Sequence, residues 1–337
     1  MVQLYRKVLI TGGAGYVGSV LVPKLLNEGY EITVYDVPYF QKDHLPLDHP
    51  NLTVIDGDIR DIEKLKDALK GNDAILHLAC ISNDASFELD ENLSTTINLN
   101  AFEPIVVAAK EAGLKRFIYC SSSSVYGVSD APEVTEDHPL VPLTLYNKFK
   151  GMCEPLLFKH QSDDFTCVTI RPATVCGYGP RCRLDLSVNI LTNHAVNKGK
   201  ITVFGGTQKR PNLHIQDMCA VYKLMLEAPA EKIQGEVFNA GYQNYTIMEI
   251  AQFVKKVVEE EFPEKGDIPI AVTESDDNRS YHINSDKIFR VLGFKPQHSI
   301  EDAARSLCTA FKEGKLPASF DNDWYYNVRT MQAIGAR

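Results

Sequence analysis

Tyr146 and Lys150 stand four residues apart, a spacing that places both side chains on one face of a helix. Tyrosine is a poor base at its reference pKa of about 10, and a pKa of about 7 requires about 4 kcal/mol of extra stabilisation of the phenolate. The Lys150 ammonium group can supply part of this, because a nearby positive charge favours the anionic form of a phenol. The pair therefore predicts acid–base chemistry on a hydroxyl group.

A run of four serines occupies residues 121–124 and follows the apolar segment 117–120, which is predicted to be a buried strand. Ligands of open α/β sheets bind outside the carboxyl ends of the strands. The run therefore places several hydroxyl groups where a ligand is expected.

A glycine-rich turn follows the first predicted strand directly and opens the first predicted helix. Glycine permits a tight turn and a close approach of the backbone to a pyrophosphate. The exposed N–H groups at the start of the helix then face the negative phosphates. The turn predicts a dinucleotide site, with cofactor contacts at Gly12, Gly15, Tyr16, Val17 and Gly18.

Asp36 ends the second predicted strand. A carboxylate at this place accepts hydrogen bonds from the adenosine ribose hydroxyls and repels a 2′-phosphate. No arginine or lysine follows immediately to neutralise such a phosphate. The sequence therefore favours NAD over NADP as the cofactor.

The elements that position these groups alternate regularly in the first half of the chain. Predicted strands cover residues 7–11, 31–35, 52–55, 74–77, 117–120 and 166–170. Predicted helices include residues 15–28, 61–69, 93–111 and 145–160. Strands that alternate with helices in this way predict an α/β fold, a Rossmann-type doubly wound parallel sheet covered on both faces.

The pattern changes after Arg171, where glycine and proline residues interrupt it and helices become commoner. Predicted helices there cover residues 186–197, 215–227, 247–260, 285–292 and 300–312. We interpret residues 1–175 as the NAD-binding domain and residues 176–337 as a smaller, mostly helical substrate lobe. A strand near 236–240 is expected to return to the main sheet.

Charge and composition exclude several classes of protein. The formal net charge of −9 argues against nucleic-acid binding. The first seven residues do not have the pattern of a secretory signal, and no stretch approaches the ~18 apolar residues of a membrane span, so we expect a cytoplasmic protein with no membrane partner. The eight cysteines show no C-x-x-C spacing, which predicts reduced, structural thiols and no metal site.

In these features the chain resembles the extended short-chain dehydrogenase/reductase superfamily, and within it the NAD-dependent nucleotide-sugar epimerase/dehydratase family. The resemblance covers nearly the whole length. It rests on the glycine turn and on the segments 57–61, 77–79, 121–127, 146–150, 171–172, 210–217 and 237–241.

The resemblance implies roles for individual residues. Tyr146 is the catalytic acid–base group, and Lys150 also binds the nicotinamide ribose. Ser122, four positions before Tyr126, matches the family's catalytic hydroxyl. Asn98 resembles a helix asparagine that supports the active site, with a simple surface amide as the alternative. Further implied cofactor contacts are Asp58 and Ile59 at the adenine and Leu78 and Ala79 near the pyrophosphate and ribose.

A nucleotide sugar carries a diphosphate, which arginine forks bind well. The implied diphosphate contacts are Arg210 and Arg279. Further implied substrate contacts are Ser123, Arg181, Arg183 and Asn189. The chain departs from the family pattern at Thr174, Cys176 and Pro211, which leaves the nucleotide and the sugar open.

The leading hypothesis for the reaction is epimerisation of a nucleotide sugar through a transient 4-keto intermediate. The alternatives are a nucleotide-sugar 4-dehydrogenase or reductase with net redox change, and a non-catalytic NAD-sensing scaffold. A 4,6-dehydratase is disfavoured, because Ser123 and Ser124 stand where such enzymes usually carry an acidic pair. A sugar-acid decarboxylase is disfavoured on the same ground at Ser124.

Two features remain open at the level of the sequence. The resemblance implies a homodimer, formed through the helices around residues 93–111 and 145–160. The C-terminal residues 320–337 contain the only tryptophan, Trp324, and have no role that the motifs assign.

Overall fold

The computed structural model describes residues 5–274 and 280–336. Twelve strands lie in this part of the chain: β1 (Lys7–Thr11), β2 (Glu31–Asp36), β3 (Leu52–Asp56), β4 (Ala74–His77), β5 (Arg116–Cys120), β6 (Thr166–Pro172), β7 (Thr174–Cys176), β8 (Ile201–Phe204), β9 (Lys209–His214), β10 (Glu236–Ala240), β11 (Gln243–Thr246) and β12 (Ile270–Thr273).

Seven of these strands form one parallel sheet in the order β10-β6-β5-β4-β1-β2-β3. All their carboxyl ends therefore meet at one edge. The chain runs outward from β1 to β3 and then returns to β4 on the other side of β1, so the strand order reverses between β1 and β4. A reversal of this kind opens the crevice in which such folds bind their ligands. The predicted doubly wound sheet is confirmed.

Thirteen α-helices lie in the described residues: α1 (Gly18–Asn27), α2 (Ile62–Leu69), α3 (Asp84–Phe87), α4 (Glu91–Thr95), α5 (Phe102–Glu111), α6 (Leu145–Phe158), α7 (Ser187–Lys198), α8 (Ile215–Glu227), α9 (Ala230–Ile233), α10 (Ile247–Glu261), α11 (Asp286–Leu292), α12 (Ile300–Lys312) and α13 (Asn327–Ile334). None of them is both long enough and apolar enough to cross a membrane.

The sheet buries an apolar core on each face, because successive side chains of a strand point in opposite directions. Along β1, Val8 and Ile10 join the cluster that contains residues of α1 and α8. Leu9 joins the cluster on the other face, with residues of α2, α5 and α6. The continuous apolar run of β1 is thus explained by burial on both sides.

The second half of the chain contains more strand than its sequence indicates. β10 lies beside β6 in the main sheet, while β11, β9 and β7 form a small sheet and β12 pairs with β8. Residues of α7, α10 and α12 bury a separate core against these strands. This core belongs to a second lobe with strands and helices of its own.

The predicted single helix over residues 93–111 is wrong. The segment is divided into α4, a π-helical turn at Thr96–Asn100, and α5. Pro104 lies in the first turn of α5, where a missing N–H is tolerated, whereas it would interrupt a continuous helix. Single π-helical turns are frequent at functional sites, and this one carries Asn98.

Candidate functional site

The main cavity opens at the carboxyl edge of the sheet and encloses about 590 Å³. Its walls come from the glycine turn, from the ends of β2, β4, β5 and β6, and from residues of the second half of the chain. The cavity therefore lies at the crevice where the strand order reverses. It is called the cleft below.

The glycine turn fits a dinucleotide. Gly12 has a φ of +72°, and a Cβ atom there would lie 2.6 Å from the backbone nitrogen of Ala79. A Cβ atom on Gly18 would lie 2.1 Å from the carbonyl oxygen of Gly13, so only glycine lets α1 start this close to the turn. Gly15 lines the cleft. These are the places at which a pyrophosphate-binding turn needs glycine.

Asp36 ends β2 and lines the cleft. Its Oδ2 accepts a hydrogen bond from the backbone N–H of Ala14 at 2.8 Å. Burial raises the pKa of Asp36 to about 7, and the N–H groups of Ala14 and Val37 oppose that rise. Above this pH the side chain is a carboxylate at the place predicted for the adenosine ribose.

The other predicted cofactor contacts, Asp58, Ile59, Leu78 and Ala79, also line the cleft, as do Tyr16 and Val17. The Asp58 carboxylate pairs with Arg60, with an N–O distance of 2.6 Å. Burial alone would raise the pKa of Asp58, but the hydrogen bonds from Arg60 lower it below its ordinary value. Asp58 therefore keeps the acceptor character that an adenine amino group needs.

Tyr146 and Lys150 line the cleft from α6, whose first turn is capped by the side chain of Thr144. The Nζ of Lys150 donates to the carbonyl oxygen of Cys120 at 2.7 Å, which ties α6 to the end of β5. Burial raises the pKa of Tyr146 well above its ordinary value, and the Lys150 ammonium lowers it in part. The expected pKa of about 7 is therefore not reached through the groups of the protein alone.

Ser122, Ser123 and Ser124 all line the cleft. The Oγ atoms of Ser122 and Ser124 lie 2.6 Å apart, and the hydroxyl of Ser124 donates to Oδ1 of Asn147. Ser122 also caps the short 3₁₀ turn Ser123–Tyr126 by accepting from the N–H of Ser124. The predicted catalytic hydroxyl is thus held by the hydroxyl and the N–H of Ser124, and Ser124 is held in turn by Asn147.

Asn98 is buried, which excludes the alternative interpretation as a simple surface amide. Its Oδ1 accepts from the N–H of Ile81 and its Nδ2 donates to the carbonyl oxygen of Ile81, both at 2.8 Å. The π-helical turn therefore fixes the loop that follows β4 and lines the cleft.

Arg183 lines the cleft, and its side chain is 11% exposed. It pairs with Asp185 at 2.9 Å and donates to Oγ of Ser82 at 3.3 Å. Burial would lower the pKa of Arg183, but Asp185 raises it above its ordinary value, and the phenol of Tyr146 adds to this. The structure thus places a guanidinium group close enough to Tyr146 for the two side chains to act on each other.

The other predicted substrate contacts have different surroundings. Arg210 is half-buried, lines the cleft and lies over the ring of Tyr281, 5.3 Å from its centroid.

Asn189 is fully buried. Its side-chain amide accepts from the N–H of Gly177 and donates to the carbonyl oxygen of Arg183. It does not line the cleft, so the predicted direct substrate contact is replaced by a role in holding this turn. The prediction for Arg279 lies outside the described residues.

Arg181 lines the cleft with only 1% of its surface exposed. Its guanidinium carbon lies 3.9 Å from the centroid of the Phe40 ring, and its Nη2 donates to Oδ1 of Asn327 at 2.6 Å. Its contacts therefore include the loop that follows β2 and the C-terminal segment.

A buried ion pair stands behind the serine run. Arg171 donates to both carboxylate oxygens of Glu154, at 2.9 and 2.6 Å, and Ser121 donates to the same carboxylate at 2.7 Å. Glu154 lies one turn after Lys150 on α6. The pair therefore locks α6 against the ends of β5 and β6.

Four residues that no motif indicates also line the cleft: Ser82, Asn327, Val328 and Met331. The last three belong to α13. Residues of α13 are at least 245 positions from Ser82 in the chain, so their contacts leave no local pattern in the sequence. The only tryptophan, Trp324, marks this segment but assigns it no role.

Residues 8–241 match the model of the NAD-dependent epimerase/dehydratase family. The chain belongs to this family. The predicted resemblance and the predicted cofactor, NAD, are thereby confirmed at the level of the family.

The chain is similar to proteins of more than one activity. It is 30% identical to the low-salt glycan biosynthesis protein Agl12 of Haloferax volcanii, over 88% of this chain and 95% of the relative. It is 28% identical to a UDP-glucose 4-epimerase of Lactobacillus helveticus, over 91% of this chain and 96% of the relative.

The fold is also similar to that of a solved structure. A dTDP-glucose 4,6-dehydratase from Streptomyces venezuelae, in complex with NAD, is 26% identical and superposes with a TM-score of 0.79. The match covers 92% of this chain and 98% of that one.

Proposed function

We propose that the protein is an NAD-dependent nucleotide-sugar epimerase that acts through a transient 4-keto sugar. The observation that carries the proposal is the shared cleft. Tyr146, Lys150 and Ser122 line the same cavity as the glycine turn and Asp36, so an acid–base group and a dinucleotide site face one ligand space.

Each residue has a defined part in this reaction. NAD, when bound, supplies the acceptor for the hydride and a positive charge beside Tyr146. The phenolate oxygen of Tyr146 takes the proton of the sugar hydroxyl as the hydride leaves the same carbon. Lys150 favours this phenolate through its charge. Ser122 holds the reacting oxygen. The return steps, on the opposite face of the turned sugar, restore both the proton and the hydride.

The serine run favours epimerisation over elimination. A 4,6-dehydratase needs an acid and a base beside the catalytic hydroxyl, whereas residues 123 and 124 carry hydroxyl groups here. The hydroxyl of Ser124 is engaged by Asn147, which further suits a positioning role. We therefore assign no elimination step to this site.

A nucleotide sugar is the proposed substrate, because the cleft carries guanidinium groups for its anionic part. Arg210 and Arg183 line the cleft on the side of the substrate lobe. The similarity to UDP-glucose 4-epimerases supports the same substrate class.

Incubation of the purified protein with a panel of nucleotide sugars tests the proposal. NMR of the products and absorbance of reduced nicotinamide are followed together, with Tyr146→Phe as the control. An isomeric product without net NADH is expected. Free NADH in proportion to product would identify a dehydrogenase instead, and NAD binding without turnover of any sugar would identify a scaffold.

A further inference from the structure

We propose that the C-terminal segment, residues 320–336, is part of the dinucleotide site and slows the release of the bound cofactor. The inference uses the NAD site of the proposed function and is independent of which sugar is converted. The segment lies outside residues 8–241, which the family model matches.

The contacts of the segment place it across the end of β1. β2 and β4 flank β1 in the sheet. Trp324 packs on Phe40, in the loop after β2, with ring centroids 6.4 Å apart. The Nδ2 of Asn327 donates to Oγ of Ser82, in the loop after β4, at 2.9 Å. A segment that contacts the loops on both sides of β1 spans the glycine turn, where the pyrophosphate of a dinucleotide lies.

The same segment is also tied to the substrate lobe. The Oδ1 of Asn327 accepts from Arg181 at 2.6 Å, and its backbone N–H donates to Asp185 at 3.1 Å. Tyr326 donates from its hydroxyl to the carbonyl oxygen of Ser319 and accepts a bond from Asn193 of α7. Asn327 therefore joins the two walls of the cleft, and a cofactor that leaves between them must break these bonds.

Arg181 adds a second, independent observation. It is almost fully buried in the wall of the cleft, and its Nε has no hydrogen-bond partner within the described residues. It lies close enough to Asp36 for the two charges to act on each other. A buried guanidinium group beside the predicted ribose site suits an anionic dinucleotide.

Apolar side chains of α13 also contribute to the wall of the cleft. Met331 packs with Ile81 and Leu93 in a small cluster of its own. Val328 and Met331 also line the cleft. The segment therefore adds apolar side chains to the cleft wall beside the loop after β4.

The release rate of the cofactor tests the inference. The protein is loaded with NADH and chased with excess NAD, and the loss of nicotinamide fluorescence gives the rate, with no sugar present. Asn327→Ala and Met331→Ala are each expected to release NADH about tenfold faster. This corresponds to an activation free energy of release that is lower by about 1.4 kcal/mol. Gln332→Ala, an exposed position on the same helix, is the matched control and should release it at the wild-type rate.

Thermal unfolding without cofactor separates this effect from a general loss of stability. Faster release in both variants, with unfolding midpoints close to that of the wild type, supports the inference. Unchanged release rates in both variants, or rates that rise equally in Gln332→Ala, would overturn it. Failure of the proposed epimerase activity is recognised separately, because that assay follows sugar products.

Discussion

The side-chain amide of Asn98 forms hydrogen bonds with both backbone groups of Ile81, each at 2.8 Å. The two residues lie 17 positions apart, on the π-helical turn and on the loop after β4. Because this loop lines the cleft, the two hydrogen bonds help to set the shape of the site.

Asn98→Asp tests this relationship. Aspartate retains the acceptor for the Ile81 N–H but loses the donor to its carbonyl oxygen, and a buried unpaired acceptor costs about 1–3 kcal/mol. We expect a lower unfolding midpoint and weaker NAD binding, measured by calorimetry. Asn92→Asp, at an exposed position on the preceding α4, serves as the control. Equal NAD affinity in Asn98→Asp and the wild type would show that the loop does not need this clamp.

Tyr146→Phe removes the proposed acid–base hydroxyl and leaves the ring in place. We expect at least a ~100-fold loss of turnover, the usual scale for a removed acid–base group. NAD binding and the unfolding midpoint should stay near their wild-type values. Turnover within a few fold of the wild type would contradict the assigned mechanism.

The sequence predicts those parts of the site that depend on local pattern. The glycine turn directly follows a strand, Asp36 ends one, and Tyr146 and Lys150 share one helix, so short spacings are enough to place them. The division of the helix over residues 93–111 also has a local signal, since Pro104 disfavours a continuous helix. That signal was outweighed by the apolar periodicity around it.

The remaining contacts depend on tertiary packing. The contact between Asn147 and Ser124 joins α6 to the turn after β5, and no spacing rule connects the two residues. Asn327 and Ser82 are 245 residues apart. For Asn189 the sequence predicts a ligand contact that the structure does not show. Its side-chain amide is instead hydrogen-bonded to the backbone of Gly177 and Arg183.

The buried pair of Glu154 and Arg171 predicts a large cost for its disruption. Both side chains are about 5% exposed, and removal of one partner leaves an uncompensated charge in the interior. Glu154→Ala should destabilise the protein by roughly 3–5 kcal/mol in denaturant titrations. Asp67→Asn, which breaks the exposed pair with Lys70, is the control and should leave the midpoint unchanged. A similar small effect from both variants would argue against a structural role for the buried pair.

The raised pKa of Asp36 should make both the stability of the protein and its affinity for NAD depend on pH. Burial raises its pKa to about 7, whereas an unfolded chain has an aspartate pKa of about 3.9. The contribution of Asp36 to the stability of the cofactor-free protein is therefore fully present at low pH, and it is lost as the pH rises through about 7. The ribose hydroxyls of NAD need an acceptor, so we expect the cofactor to bind the carboxylate form.

NAD affinity should consequently fall as the pH is lowered below about 7. The fall is at most about tenfold per pH unit, because NAD binding must release one proton from Asp36. Calorimetry across this range, repeated in buffers of different ionisation enthalpy, measures both the affinity and the number of protons released. Asp36→Asn cannot ionise and should bind NAD with little dependence on pH. If the variant kept the wild-type slope, another group would have to carry the proton, and the assignment of Asp36 to the ribose would lose its support.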